Sequence, residues 1–410
     1  MRIQKFTASV LLLCVFALSV FPQSRPQRPT GTGNEKINER PKPKTPEELN
    51  REAERRKMEE EANKAVVDDE VLKIDTNLVN VDTVVYNKKT GQIIQGLTKE
   101  NFAVFEDGVK QEIVDFSMPE APITVTLVVE YSKWSEIFGF YGSQGQEYGH
   151  MEVVRPVAQF LTNFIKPPND YASVIAFDLR PTPITDFTND PARINQTINL
   201  LLRNRPAFRE NNLFDAIKFA LVGGKADSVV LEKSESRETE YGGLVNVKAP
   251  RRAVILVASG IDTFSKINYG EVRKVIQSAG IPIYIISTGN MFYKLYESRM
   301  SPMDGIDGTP GRLTFLQAQN QMNTFAKESG GEHFPMTFST ELPNILRNIN
   351  TLLRNQYSIA YDAGDKERKP GKKYKLEVKV DVNGDGVYDD KQFVVQHRPY
   401  FSVEDSNKKK

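Results

Sequence analysis

From Val71 to Phe116 apolar and polar residues alternate with period two, as in Leu78-Val79-Asn80-Val81-Asp82-Thr83-Val84-Val85-Tyr86. That alternation predicts strands with one buried face. A turn over Asn87 to Gly91 ends the first strand. The run from Phe102 to Val109 predicts a second strand that enters an Asp107-Gly108 turn, with Ile113 to Phe116 as its return. Residues 71–118 therefore read as a small β unit. Past Pro119 and Pro122 the period changes. Apolar runs at 123–130, 171–177, 253–258 and 281–286 alternate with helical stretches at 152–165, 195–202, 213–221 and 272–279. Strands apolar on both faces, separated by helices, predict a doubly wound, mostly parallel α/β sheet over 119–355. Period two returns within 356–402, at Tyr374 to Val380 and at Phe393 to Gln396, and predicts a C-terminal hairpin that packs with the small β unit.

The ends of the chain have a different composition. Arg2 and Lys5 precede an apolar stretch from Ala8 to Phe21, the form of an export signal over 1–24. Cys14, the only cysteine, falls inside it, so the mature chain should carry no thiol or disulfide. Residues 25–70 are rich in Pro, Lys, Arg and Glu and read as a tether, with a solvated helix over 47–65. Over 410 residues, 54 basic and 53 acidic side chains leave a net charge of +1, and the dense basic run is the tail 403–410 with Lys408 to Lys410. No nucleic-acid partner is expected. The location expected is secreted, periplasmic or cell-envelope, with membrane contact only if the signal segment stays uncleaved.

Candidate chemistry is sparse. His150, His333 and His397 lie in unrelated segments, and Ser259 sits in Val-Ala-Ser-Gly rather than a nucleophile elbow, so an enzyme is not expected. In an open α/β sheet, ligands bind past the carboxyl ends of strands, which directs attention past Val129, Ala258 and Ile286. Two aromatic, glycine-containing loops belong to that face. One carries Trp134, Phe138, Phe140, Tyr141 and Tyr148; the other carries Phe292, Tyr293 and Tyr296. They suit either a contact surface or a lid folded over the strand ends. The segment from Lys225 to Arg251 is charged and reads as a solvated excursion. Between the two C-terminal alternating segments, Asp381, Asn383, Asp385 and Asp389 occupy calcium-loop positions around Gly386, but Gln392 stands where a bidentate Glu would be. Calcium and plain hairpin-turn chemistry both remain open there.

The order of these segments resembles that of von Willebrand factor A (VWA)-related domain proteins of the kind abundant in Acidobacteria. The residues that carry the resemblance are Ile123 to Ser132, Asn211 to Ala216, Ala253 to Thr263, Gly330 to Phe334, Gln356 to Tyr361, and in the leading unit Gly96 to Phe102 and Phe105 to Gly108. It covers nearly all of 72–400 and implies a VWA/Rossmann-like fold with an accessory β unit. It also implies a metal-ion-dependent adhesion site, which this sequence keeps only in part. Glu130 stands at the first Asp, Ser132 keeps the first hydroxyl, Trp134 replaces the second, Asn211 falls at or beside the Thr, and Ser259 replaces the late Asp. Magnesium is not expected at so degenerate a set, and Glu130 and Asp262 read as solvated or capping carboxylates, with Asp215 a structural helix-start residue. The expected activity is adhesion-type recognition of a protein or glycan. The alternatives are an envelope or secretion scaffold and, further off, a hydrolase.

Overall fold

The computed structural model describes residues 78–142, 149–203, 206–227, 238–364, 368–369 and 371–403. The expected signal (1–24), tether (25–70) and the tail beyond Val403 lie outside the described residues. The strands, in chain order, begin with β1 (Leu78–Asn87), β2 (Phe102–Glu106), β3 (Val109–Gln111) and β4 (Ile113–Ser117). Then come β5 (Ile123–Glu130), β6 (Tyr171–Phe177), β7 (Pro181–Thr188), β8 (Gly224–Asp227), β9 (Glu238–Tyr241), β10 (Arg251–Ala258), β11 (Ile283–Ser287) and β12 (His333–Pro335). The last four are β13 (Tyr357–Asp362), β14 (Lys373–Val380), β15 (Phe393–Gln396) and β16 (Tyr400–Ser402).

The chain is mixed α/β. Its six-stranded sheet has the order β12-β11-β10-β5-β6-β7. The first five of these run parallel, and β7 is antiparallel to β6. β5 is buried at all eight of its positions, as expected of a central parallel strand covered on both faces. Ile123, Val125, Leu127 and Val129 pack with the helices Gly149–Phe164, Pro191–Arg203 and Leu342–Arg354. Val128 packs instead with Leu213–Val222, Tyr269–Ala279 and Arg312–Ser329. Each such aliphatic side chain stabilises the fold by about 1.5–3 kcal/mol when fully buried.

Eight of the remaining strands build two four-stranded sheets, β15-β1-β13-β4 and β16-β14-β2-β3, around one core that includes Val81, Val104, Tyr357 and Val378, and β8 pairs with β9 alone. Two sequence expectations are corrected here. The return strand of the Asp107-Gly108 turn is β3, not the segment 113–116. Positive φ at both turn residues (48° and 82°) makes a two-residue connection that sets Val109 opposite Glu106, while β4 crosses to pair with β13. Nor do 374–380 and 393–396 form a hairpin. β14 pairs with β2 and β16, whereas β15 pairs with β1, so the loop between them carries the chain from one sheet to the other.

The segment from Lys225 to Arg251 is not wholly a solvated excursion either. Tyr241 is buried, its ring between Phe187 and Phe219 at centroid distances of 5.3 and 5.1 Å. Its hydroxyl lies 2.8 Å from Ser173 Oγ and 3.1 Å from Thr126 Oγ1. One aromatic therefore pins the β8–β9 pair to the sheet face.

Candidate functional site at the carboxyl ends of β5 and β10

Glu130 ends β5, and the chain leaves β10 through Ser259 and Gly260, whose φ of +89° favours glycine at that turn. Asn211 and Asn212 precede the helix Leu213–Val222, whose N-cap is Asn212. These segments bring Glu130, Ser132, Asn211 and Ser259 together, each at most 2% exposed. The Ser132 hydroxyl donates to Glu130 Oε1 at 2.6 Å, and the Asn211 amide donates to the same oxygen at 3.0 Å. The Ser259 backbone N–H donates to Oε2 at 2.6 Å. Burial pushes the Glu130 carboxyl above its ordinary range, and these hydrogen bonds pull against that shift. Asn211 Oδ1 is buried and has no hydrogen-bond partner.

Beside this cluster in the chain is Trp134, 8% exposed, packed with Ile261, Tyr293, Phe315 and Ala318. Its backbone N–H donates to Ser132 Oγ at 3.2 Å. The expectation that Trp134 is an exposed anchor on a loop is thereby corrected. Residues 133–142 form a helix, Lys133–Gly142, and the indole is core because apolar rings from the helices Gly289–Tyr296 and Arg312–Ser329 meet it there. Phe292 joins them, its ring 5.7 Å from Phe315. Phe138, Phe140 and Tyr141 lie on the Lys133–Gly142 helix with their side chains outside the described set, and Tyr148 lies outside the described residues.

Three further expectations can be placed. Glu130 is not a solvated carboxylate but a buried one. Asp262 caps the helix Leu213–Val222 by accepting from Phe214 N at 3.3 Å, and Asp215 accepts from Lys266 N at 2.9 Å, which holds the next loop. Two exposed aromatics lie beside the cluster, Phe208 and Phe264, 45% and 57% exposed. They flank the cluster directly. Phe208 O accepts from Lys133 N at 2.7 Å, and Phe264 N donates to Asn211 O at 2.8 Å. Sequence reasoning passed over both because each is a single aromatic within a polar run; the cue available was their position beside Asn211 and Ser259.

A divalent cation does not fit these residues. Magnesium requires a near-octahedral shell of about six oxygens. Here there is one carboxylate, both of whose oxygens already accept from protein donors, and the unpartnered oxygen identified beside it is Asn211 Oδ1. All four side chains are closed to solvent, so a partner's carboxylate could not complete such a shell without a local opening. The same closure keeps any substrate carbonyl from the Ser259 hydroxyl.

In the Asp381 to Asp389 loop the carboxylates serve the loop's own donors. Asp381 accepts from the N–H groups of Gly384 (2.8 Å), Asp385 (3.2 Å) and Gly386 (2.7 Å). Asp385 Oδ1 accepts from Val387 N at 2.8 Å, and Asn383 donates to Asp385 Oδ2 at 3.0 Å. Asp389 Oδ2 accepts from Val382 N at 2.8 Å. Among the described residues no group of three or more His, Cys, Asp or Glu side chains is gathered as a metal site.

No family profile matches this sequence, and no curated protein matches it. Solved structures resemble part of it, at TM-scores below 0.5. The PilB minor pilin from Streptococcus sanguinis is 12% identical, with a TM-score of 0.39 over 57% of this chain and 62% of that one. The proximal thread matrix protein 1 of the mussel byssus is 13% identical, with a TM-score of 0.38 over 60% of this chain and 50% of that one. The vWF domain of the type V pili tip protein Mfa5 from Porphyromonas gingivalis is 12% identical, with a TM-score of 0.36 over 56% of this chain and 94% of that one. The similarity is to von Willebrand factor A-type domains. The chain spans less than two thirds of the first two proteins. One form of the mussel protein has a zinc-occupied MIDAS motif.

Proposed function

We propose that this chain is an exported, non-catalytic recognition protein whose doubly wound VWA-like domain, residues 119–355, binds a protein or glycan at its strand-end face without a coordinated cation. The observation that carries the reading is the saturation of Glu130. Ser132, Asn211 and Ser259 supply hydrogen-bond donors to both carboxylate oxygens where an adhesion site would need oxygens facing a metal. With that cluster closed, affinity has to come from exposed apolar groups around it, and Phe208 and Phe264 are the two aromatics whose backbones hydrogen-bond to its segments. Residues 71–118 and 356–402 are proposed as the accessory unit that carries the domain, with 25–70 as its tether to the envelope.

The test is capture from an envelope extract by the immobilised chain, repeated after protease digestion of the extract and after periodate treatment to tell protein from glycan. Capture is expected to persist in EDTA and to weaken by about thirtyfold, or ~2 kcal/mol, in a Phe208→Ala, Phe264→Ala double variant. Capture lost in EDTA and restored by magnesium would overturn the reading.

A further inference from the structure

A second cavity lies at the other end of the sheet. The helix Leu213–Val222 starts beside Glu130 and ends at Val222, a rise of about 15 Å for ten residues. Val222 lines a cavity of about 350 Å³ between the α/β domain and the β unit. Val245, Ser278 and Ala279 line it on the domain side, Leu78 and Phe401 on the other, and Arg368 and Arg398 are among its lining residues. That volume is at the small end of ligand sites.

The two arginines differ in what neutralises them. Arg368 forms a bidentate pair with Glu106, at 2.8 and 2.9 Å, so its charge is already met. Arg398 is 4% exposed and, among the described residues, has no carboxylate within ion-pair distance. Its partners are the carbonyl oxygens of Gln277, at 3.2 Å, and Asn80, and its Nε has none. Gln277 belongs to the last turn of Tyr269–Ala279, so the helix end contributes partial negative charge only. Asp82 is near enough to act on Arg398 through space, but burial pushes its own carboxyl toward the neutral form. Burial lowers the Arg398 pKa to about 10, which still leaves it charged at neutral pH. A buried cation without a counter-ion is costly, and an anion in the adjoining cavity would remove that cost.

We infer that this cavity binds a small amphipathic carboxylate, with the anionic head on Arg398 and the apolar body against Val222, Val245 and Phe401. The carboxylate has two sources to distinguish: a free acid, or the chain's own Glu404-Asp405, which follow the lining residue Val403 in the sequence. The site is independent of the strand-end face.

The test is thermal unfolding with octanoate, and with octanol at equal concentration as the uncharged control, on the full chain and on a chain ending at Val403. Octanoate should raise the melting temperature in a concentration-dependent way, and octanol should not. Arg398→Gln should weaken octanoate at least about tenfold. Val245→Trp, which fills the cavity from the opposite wall and leaves the arginine in place, should do the same and keeps the test alive if Arg398→Gln does not fold. A shift confined to the shortened chain supports the site and assigns its resident carboxylate to Glu404-Asp405. No shift in either chain, an equal shift with octanol, or full retention in Val245→Trp would overturn the inference.

Discussion

Replacing Glu130 separates a hydrogen-bonded structural carboxylate from a metal ligand. Alanine would leave the Ser259 N–H and the Asn211 amide without their acceptors inside a closed site, while the Ser132 hydroxyl can turn to another partner. Each orphaned buried donor costs about 1–3 kcal/mol, so Glu130→Ala should lose about 2–6 kcal/mol. Glutamine keeps the shape. Its carbonyl can serve the Ser259 N–H, and its amide can meet Asn211 Oδ1 once the Asn211 amide turns over to present that oxygen in place of its NH2; Glu130→Gln should therefore cost no more than about 1 kcal/mol at neutral pH. The two variants should also differ in pH dependence. The folded carboxyl titrates above its ordinary value of 4.5, so its contribution to stability is complete below that pH and is lost as pH rises through the higher folded value. Glutamine does not titrate, so Glu130→Gln should improve relative to the native protein as pH rises from 4.5 toward neutrality. Urea unfolding followed by fluorescence is suited to this, because the chain's single tryptophan, Trp134, lies beside the site. Magnesium-dependent stabilisation of the native protein that is absent in Glu130→Ala, or equal losses in the two variants, would refute the reasoning.

Trp134→Ala should destabilise by about 3–5 kcal/mol, as truncation of a buried aromatic does, whereas Phe264→Ala should leave the urea midpoint nearly unchanged and reduce capture only. His333 is held neutral by burial, with its pKa lowered from 6.5 to about 4, so its contribution to stability is present above pH 6.5 and lost as pH falls through about 4. His333→Phe should flatten that part of the acid-unfolding curve, and an unchanged curve would assign the acid limb to other groups. Asp381→Ala removes the acceptor of three loop N–H groups and should cost about 1–3 kcal/mol in EDTA and in millimolar calcium alike. A calcium-dependent rise in melting temperature that Asp385→Ala abolishes would instead assign a cation to this loop.

Much of the sheet was legible because its central strands are buried on both faces. β5 and β6 coincide with the apolar runs at 123–130 and 171–177, and β10 and β11 lie within a few residues of theirs. β7 was missed because its two prolines, Pro181 and Pro183, disguise an edge strand, and the helix Arg312–Ser329 because its apolar residues are spread thinly among Gln and Asn. The residues that meet at the strand ends could be named from the sequence, but their state could not. Whether Glu130 is solvated or enclosed depends on Asn211 and Ser259 meeting it from segments 81 and 129 positions away, contacts that no local pattern encodes. Likewise, period two marks a strand but not its partner, so β14 and β15 looked like a hairpin although they lie in different sheets.

The β unit also governs how the chain would carry mechanical load. β4 leads into the α/β domain and β13 leads out of it, and these strands are paired, with Ser117 opposite Ser358. The whole domain is thus a loop hung from one antiparallel ladder. A pull between Leu78 and Ser402 passes from strand to strand through the two small sheets and crosses at that ladder, so the α/β domain bears no tension until β4 and β13 separate. A ligand seated on its far end would be shielded from strain transmitted along the backbone, and stretching would first be felt where β1 meets β13 and β15.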